Sequence, residues 1–268
     1  MKAILHFDII LPSVFFLLIA SSIFIQDKLK NRLPSLFEEA KFSTKEAILT
    51  AVWIGIAVTV MALIPREAIR IFFLTAYSYI LFSFTRMLLK KWYIAIFPPL
   101  LFICSYLFFW NLATFNISVA VFFIIIILYT SGLFSWSTVW IFAALLTIMD
   151  IIQVFLTGFM VQSATKMLEL RLPVLLILPM YPYTSIINLG LGDIYLASLI
   201  SIQASAKYGM EVGVLMAATN GIAMFLFEAL MLNTKLFTFF PATLVVLAGS
   251  IMGLGIARIM KMNKRQDE

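Results

Sequence analysis

The chain has 268 residues, of which 63% are hydrophobic and only 12% are charged, and its net charge is +6. Soluble domains contain about 25% charged residues, so the composition excludes an ordinary soluble domain and predicts a polytopic membrane protein. Apolar runs this long and continuous favour transmembrane helices over the short alternating strands of a membrane barrel.

The predicted elements, in chain order, are nine apolar segments that are each long enough to cross a bilayer as a helix. They cover residues 4–25, 47–64, 70–89, 92–110, 115–133, 138–160, 186–206, 211–231 and 236–258. A further apolar segment at residues 173–179 is bounded by prolines and is too short to span the membrane. The predicted fold class is therefore an all-α polytopic membrane protein with nine transmembrane helices.

The distribution of Lys and Arg predicts how the chain is oriented in a cell membrane. With nine spans, the side that holds the N-terminus carries only six of the 19 basic residues, namely Lys2, Arg66, Arg70, Lys166, Arg171 and Lys235. Because cytoplasmic loops carry the excess of basic residues, we expect the N-terminus outside and the C-terminus in the cytoplasm. This topology accounts for the net charge, and we expect no nucleic-acid partner.

Two aspartates lie inside predicted spans, where an ionisable side chain is costly and is by default a functional candidate. Asp150 is near the centre of the sixth span, and Asp193 lies about a third of the way along the seventh. Thr147, Gln153 and Thr157 share a helix face with Asp150, and this polar stripe predicts a wet interior cleft. No Lys or Arg lies in the middle of a span, so we expect each aspartate to face the other or water.

The remaining polar residues in the apolar segments have simpler interpretations. His6 and Asp8 near the start of the first span, and Glu228 in the eighth, are expected to lie at a membrane interface or to extend toward one. Asn220 is expected to hydrogen-bond across helices.

Two carboxyl groups that face each other in a wet cleft suit a particular chemistry. Like charges a few ångströms apart cannot both ionise cheaply, so the pair shares one proton. The ionised partner can deprotonate a water molecule while the protonated partner polarises a peptide carbonyl, as in aspartic proteases. The chain has one His and one Cys, and we expect neither a metal site nor a cofactor.

Three short motifs, in order along the last four predicted spans, resemble the presenilin and signal peptide peptidase family of GxGD intramembrane aspartyl proteases. They are Met149-Asp150, Gly190-Leu191-Gly192-Asp193 and Pro241-Ala242-Thr243. The predicted count of nine helices is also similar to that family. The resemblance implies an endopeptidase that hydrolyses peptide bonds within transmembrane segments of membrane proteins or signal peptides, in contact with the lipid bilayer.

The resemblance also implies a role for each site residue. Asp150 and Asp193 would be the catalytic dyad, in an integral membrane unit whose residues 1–135 hold helices one to five and whose residues 136–268 hold the catalytic helices six to nine. The residues expected to shape the site or bind substrate are Met149, Leu176, Gly190, Leu191, Gly192, Pro241, Ala242 and Thr243. Leu176 lies in segment 173–179, which we expect to form a mobile strand that pairs with the unwound substrate. Met149 and Thr243 stand where the family usually has Tyr and Leu.

Within the family, the sequence is more similar to signal peptide peptidases than to presenilins. Only 43 positions separate Asp150 from Asp193, which excludes the long loop that presenilins cleave in themselves. The short loops indicate a compact prokaryotic or archaeal member that acts as one intact chain, and a homo-oligomer is compatible with the sequence.

The residues alone leave two other functions open. Facing aspartates in a helical bundle also bind and pass cations in a channel or a proton-coupled transporter. The chain could also act mainly as a scaffold or trafficking partner, with the two aspartates retained for stability.

Overall fold

The structure is a computed structural model, and it describes residues 6–30, 41–181, 185–234 and 240–264. Its helices are α1 Ile10–Lys30, α2 Thr44–Leu63, α3 Arg66–Leu89, α4 Trp92–Ala95, α5 Phe97–Phe108, α6 Leu112–Ser131, α7 Trp136–Ile151, α8 Phe159–Glu169, α9 Leu191–Tyr208, α10 Met210–Thr234 and α11 Ala242–Lys264. Two short strands, β1 Leu175–Pro179 and β2 Ile186–Gly190, form an antiparallel pair between α8 and α9. The starts of the first and last predicted spans, with Lys2 and Lys235, lie outside the described residues.

Within the described ranges, seven helical stretches are long and apolar enough to cross a membrane. They are Ile10–Lys30, Thr44–Leu63, Arg66–Leu89, Leu112–Ser131, Trp136–Thr157, Met210–Thr234 and Ala242–Met260. The predicted helical, multi-pass class is thereby confirmed, whereas the predicted count of nine spans is not.

Two of the predicted spans do not form a single long helix, and in each case the reason is local. The segment predicted at 92–110 is divided into α4 and α5, with Pro98 and Pro99 in the first turn of α5, because proline lacks the N–H that a continuous helix needs there. The segment predicted at 186–206 begins as strand β2, and its helix α9 starts only at Leu191.

Side-chain caps fix where several helices begin. Ser43 and Glu46 form a reciprocal capping box at the start of α2, and Ser135 does the same with Thr138 at the start of α7. These caps satisfy backbone N–H groups that have no partner inside the helix. The start of α7 determines where along the helix Asp150 falls.

Helix α9 lies inside the bundle. It contacts α1, α6, α7, α10 and α11, and its residues from Leu196 to Ala204 are all buried. A helix with neighbours on all sides does not need a lipid-facing apolar surface, which explains why α9 is less apolar than the spans around it. Because α1 and α6 contact α9, helices from both predicted parts of the chain form one bundle.

The end of α7 departs from regular helix geometry immediately after Asp150. Residues Ile152–Thr157 form a π-helical turn, and Gly158 follows with a φ angle of 68° before α8 begins. Glycine adopts this left-handed conformation without the steric cost of a side chain. The predicted sixth span therefore ends earlier than residue 160, and α8 turns back toward α2, which it contacts.

A buried amide links two of the last helices. Nδ2 of Asn220 in α10 donates a hydrogen bond of 3.1 Å to Oγ of Ser250 in α11. The predicted cross-helix role of Asn220 is confirmed.

Candidate active site

The two aspartates that the sequence analysis placed inside predicted spans meet in the structure. Asp150 lies in the last turn of α7 and Asp193 lies in the first turn of α9. Both are buried, with 6% and 8% of their surfaces exposed, and the two carboxyl groups are close enough to interact electrostatically. Residues 43 positions apart are thus brought together because α7 and α9 pack against each other.

The two oxygens of the Asp150 carboxyl group have different surroundings. The hydroxyl of Thr243, at the start of α11, donates a hydrogen bond of 2.7 Å to Oδ2 of Asp150. The other oxygen, Oδ1, is buried and has no hydrogen-bond partner among the described residues. A buried acceptor without a donor is costly, so Oδ1 is the oxygen of Asp150 that would gain from a donor on a bound molecule.

Two cavities meet at the aspartates. The first, of about 270 Å³, lies between α2, α7 and α8 and is lined by both aspartates together with Gly55, Met149 and Leu191. The second, of about 380 Å³, extends from the aspartates along strand β2. In the described part of the chain, the aspartates are the only ionisable residues that line either cavity. Their walls are otherwise mostly apolar, which suits an apolar peptide segment.

The two glycines before Asp193 differ in their surroundings. A Cβ atom at Gly190 would lie 2.8 Å from Oδ2 of Asp193, which is too close without movement of the carboxyl group. A Cβ atom at Gly192 would meet nothing within 4 Å, and Gly192 lines the first cavity. Gly190 has ordinary extended backbone angles, so its glycine is required by space and not by conformation.

The short apolar segment predicted at 173–179 does form a strand, but its partner is β2. In the register, Leu176 is opposite Leu189. Two backbone hydrogen bonds flank the ladder: the Leu191 N–H donates to the Val174 carbonyl, and the Met180 N–H donates to the Ser185 carbonyl. They show which opposite residues of the two strands are hydrogen-bonded to each other. By the alternation of an antiparallel ladder, the backbone groups of Leu176 point toward β2. Leu176 is also buried, so in this structure its backbone groups are already paired within the hairpin, and its role toward a substrate stays a prediction.

The two outer edges of this hairpin are not equivalent. On the β1 side, the side-chain amide of Asn116 pairs with the backbone of Ile177, accepting from its N–H at 3.0 Å and donating to its carbonyl at 2.7 Å. On the β2 side, the alternation directs the backbone groups of Ile186 and Asn188 and the N–H of Gly190 outward, while the Gly190 carbonyl belongs to the N-cap of α9. No backbone hydrogen bond from another described segment meets them, and all three line the second cavity.

The other residues expected at the site are also near it. Met149 and Leu191 line the first cavity and Ala242 lines the second. Pro241 is buried immediately before α11, which begins with Ala242 and Thr243.

Some site residues gave little or no signal in the sequence. A Cβ atom on Gly55 of α2 would lie 3.2 Å from the Met149 sulfur, and the Gly55 carbonyl accepts a hydrogen bond of 2.7 Å from Nε2 of Gln153. Asn116 stands out in the sequence only as the first residue of a weak match to a glycosylation acceptor, Asn116-Ile117-Ser118, and its contact with the hairpin has no sequence signal. Of the residues in the predicted polar stripe, Gln153 lines the first cavity. The hydroxyl of Thr147 instead donates a hydrogen bond to the Ala143 carbonyl of its own helix.

Comparison with known proteins adds no relative. No model of a known protein family matches the sequence, and no characterised protein matches it either. In the described residues, no group of three or more His, Cys, Asp or Glu side chains is arranged to hold a metal ion.

Proposed function

We propose that the protein is an intramembrane aspartyl endopeptidase that hydrolyses peptide bonds within transmembrane segments or signal peptides. One observation carries this proposal: two buried aspartates on different helices face each other where two mostly apolar cavities meet inside a helical bundle. The arrangement combines an acid and base pair with room for an apolar peptide. Both are needed where the substrate is itself a membrane segment.

The chemistry follows from one proton shared by two carboxyl groups. The ionised aspartate accepts a proton from water as the water oxygen attacks the peptide carbonyl carbon. The protonated aspartate donates its proton to the carbonyl oxygen, which gives a neutral tetrahedral diol. As the diol collapses and the C–N bond breaks, the aspartate that took the proton from water donates it to the leaving nitrogen, and the other aspartate accepts a proton from a diol hydroxyl, so the pair again holds one proton.

Substrate binding at the edge of β2 would complete this arrangement. A peptide bond in a transmembrane helix is hidden by its own hydrogen bonds, so the segment must unwind before it is cleaved. The outward backbone groups of Ile186 and Asn188 and the outward N–H of Gly190 offer new partners to an unwound strand, and they lie along the cavity that leads to Asp150 and Asp193. We therefore transfer the substrate-pairing role that the sequence suggested for segment 173–179 to β2.

The family and topology are part of the same proposal. We propose a presenilin-like or signal peptide peptidase-like bundle with nine crossings, in which Trp92–Phe108 and α9 join the seven long apolar helices. The N-terminus would lie outside and the C-terminus in the cytoplasm, as the distribution of basic residues indicates. The chain would act without a cofactor.

A cation channel or proton-coupled transporter is the second candidate. The observation that favours it is the free Oδ1 of Asp150 beside Asp193 inside the bundle, since paired carboxylates in a membrane cavity can bind cations. The two functions differ in what they do to a peptide, and they can be separated in one preparation.

The test uses the purified full-length protein in liposomes with a panel of single-span peptides, and mass spectrometry identifies the products. Wild type should cleave at least one peptide inside its apolar segment. A peptide mimic that carries a hydroxyl group in place of the scissile carbonyl should inhibit it, because the mimic resembles the tetrahedral intermediate.

Cation flux is measured in the same liposomes. Flux that requires both aspartates, without cleavage of any peptide, would overturn the protease proposal in favour of the channel or transporter. Inhibition by chelators but not by the hydroxyl mimic would equally contradict aspartyl protease chemistry.

A further inference from the structure

The hydrogen bond from Thr243 makes the two aspartates chemically unequal. Thr243 is itself buried, and its hydroxyl donates to Oδ2 of Asp150 at 2.7 Å. Asp193 receives no hydrogen bond from any side chain or backbone group that the structure describes, and the charged group that acts on it is Asp150. The pair therefore has a donor on one side only.

We propose that Thr243 is a positioning residue that assigns the two acid–base roles, with Asp150 the ionised partner and Asp193 the partner that holds the proton. The assignment of the proton to Asp193 is argued from the hydrogen bond that Thr243 makes to Asp150. What this assignment means for peptide hydrolysis rests on the function proposed above.

A hydroxyl donor distinguishes a charged acceptor from a neutral one. A hydroxyl has one proton to donate, and a bond to an ionised carboxylate is roughly twice as strong as a bond to a neutral acceptor. The Thr243 donor thus stabilises ionised Asp150 more than protonated Asp150. With one proton shared between the two groups, the same bond shifts that proton to Asp193.

No other charged group near the pair opposes this assignment in the described chain. The surfaces that α2 and α8 turn toward the first cavity carry Gly55, Val58, Met160 and Ser163, and none of these side chains is ionisable. The hairpin and α11 contribute no further ionisable residue to either cavity. Thr243 is therefore the polar group that distinguishes Asp150 from Asp193.

The unpartnered oxygen of Asp150 agrees with this assignment. Because Oδ2 is occupied by Thr243, the buried Oδ1 is the atom left to accept a proton from the attacking water. Asp193, beside the outward edge at Gly190, would then protonate the carbonyl oxygen of a strand bound along β2. Water is delivered from the α7 and α11 side, and the substrate carbonyl from the β2 side.

The test measures protonation directly, by infrared titration of the carboxyl bands in the purified protein. The Asp150→Asn/Asp193→Asn double variant is subtracted to remove the signal of all other carboxyl groups. In an Asp193→Asn background, Thr243→Val should raise the pH at which Asp150 ionises by about one pH unit, the size expected for one hydrogen bond to a charged group. In an Asp150→Asn background, Thr243→Val should not change the pH at which Asp193 ionises.

Two control variants separate the hydroxyl from its volume. Thr243→Ser keeps the donor and should restore most of the shift. Thr219→Val removes a buried hydroxyl that bonds only to the Met216 carbonyl of its own helix, and it should move neither titration. Equal shifts of both aspartates, or no shift of Asp150, would overturn the proposal.

A kinetic measurement connects the assignment to catalysis. In the otherwise native protein, Thr243→Val should move the acidic limb of the pH profile of kcat/KM to higher pH, and Thr243→Ser should reverse that change. If wild type cleaves no peptide, the proposed function fails while the infrared result still decides the role of Thr243. If wild type cleaves and the acidic limb does not move, the role of Thr243 in catalysis is refuted and the protease proposal stands.

Discussion

In the part of the chain that the structure describes, the buried carboxyl groups form two pairs, and the pairs are built differently. One pair is Asp150 with Asp193. The other is Asp8, just before α1, with Glu228 in α10, which lies close enough to interact with it. Asp8 and Glu228 are 1% and 5% exposed, so this pair is buried at least as deeply as the first.

The second pair is tied into the backbone. The Asp8 carboxylate accepts hydrogen bonds from the backbone N–H groups of Ile10, Leu11 and Tyr181, at 3.2, 3.0 and 2.8 Å. It thereby joins the start of α1 to the end of the β1 segment. Neither Asp8 nor Glu228 lines the two cavities that meet at Asp150 and Asp193.

The contrast separates burial from reactivity. Glu228 is also a buried carboxyl group beside another carboxyl group, so burial next to a second acid does not by itself make a reactive site. What distinguishes the first pair is the adjoining space, the unequal donor from Thr243 and the outward strand edge. We infer that the second pair is structural.

If the proposed function holds, the largest effect should come from neutralising Asp150 or Asp193. Asp150→Asn and Asp193→Asn should each reduce the cleavage rate by roughly 10⁴-fold or more, because each aspartate is needed in a different protonation state. The double variant should be no worse than either single one, since the two residues act as a unit. Initial rates measured by mass spectrometry on a cleaved peptide provide the comparison.

Glu228→Gln is the matched control for that experiment, since it neutralises a buried carboxyl group outside the cavities. It should keep a cleavage rate near that of wild type and the same bell-shaped pH profile, whose two limbs belong to the Asp150–Asp193 pair. A loss comparable to that of Asp193→Asn would show that the second pair takes part in the reaction.

The next largest effect should appear at the glycines beside Asp193. Gly190→Ala should lower kcat by roughly 100-fold, because the added methyl group must displace the Asp193 carboxyl group and small misplacements at this scale are costly. Gly192→Ala should act mainly on KM, since its methyl group would project into the first cavity. Steady-state kinetics separate the two outcomes. Similar losses of kcat at both positions would contradict the steric explanation.

The sequence was sufficient to single out Asp150 and Asp193 because their signals are local. Asp150 and Asp193 are exceptional for being in apolar segments, and the structure brings them together as predicted. The helical, multi-pass class followed from composition for the same reason. Both inferences depend only on the cost of polar groups in lipid.

The features that the sequence did not predict depend on contacts between distant segments. Asp8 and Glu228 were expected to lie at an interface or to extend toward one, but the structure buries them against each other across 220 positions of the chain. Strand β2 looked like part of a span because its residues are apolar. The pairing of β2 with β1, and the contact of Asn116 with the outer edge of β1, depend on the tertiary structure.

A proline scan of β2 gives a smaller effect and tests which edge binds substrate. Asn188→Pro removes an N–H that points away from β1, so the hairpin keeps its hydrogen-bonded pairs. Cleavage should fall roughly tenfold, the value of one backbone hydrogen bond, while thermal stability stays near that of wild type. Asn188→Ala keeps the N–H and should restore the rate.

Ile187→Pro is the matched proline at the neighbouring position. It removes an N–H that points toward Leu178 of β1, so it should lower both thermal stability and cleavage. Full activity of a stable Asn188→Pro variant would refute substrate pairing at β2.

The smallest expected effect concerns the stability of the second pair, and its sign differs between the two members. Glu228→Gln should raise Tm by about 2–4 °C, corresponding to about 1 kcal/mol, because it removes a buried carboxyl group that faces another and supplies an amide donor for Asp8. Asp8→Ala should lower Tm, because three backbone N–H groups lose their acceptor. Thermal unfolding of the purified variants in one detergent measures both shifts. A lower Tm for Glu228→Gln would mean that the charge of Glu228 is stabilised in the folded protein, and the second pair would then no longer be two carboxyl groups held together at a cost.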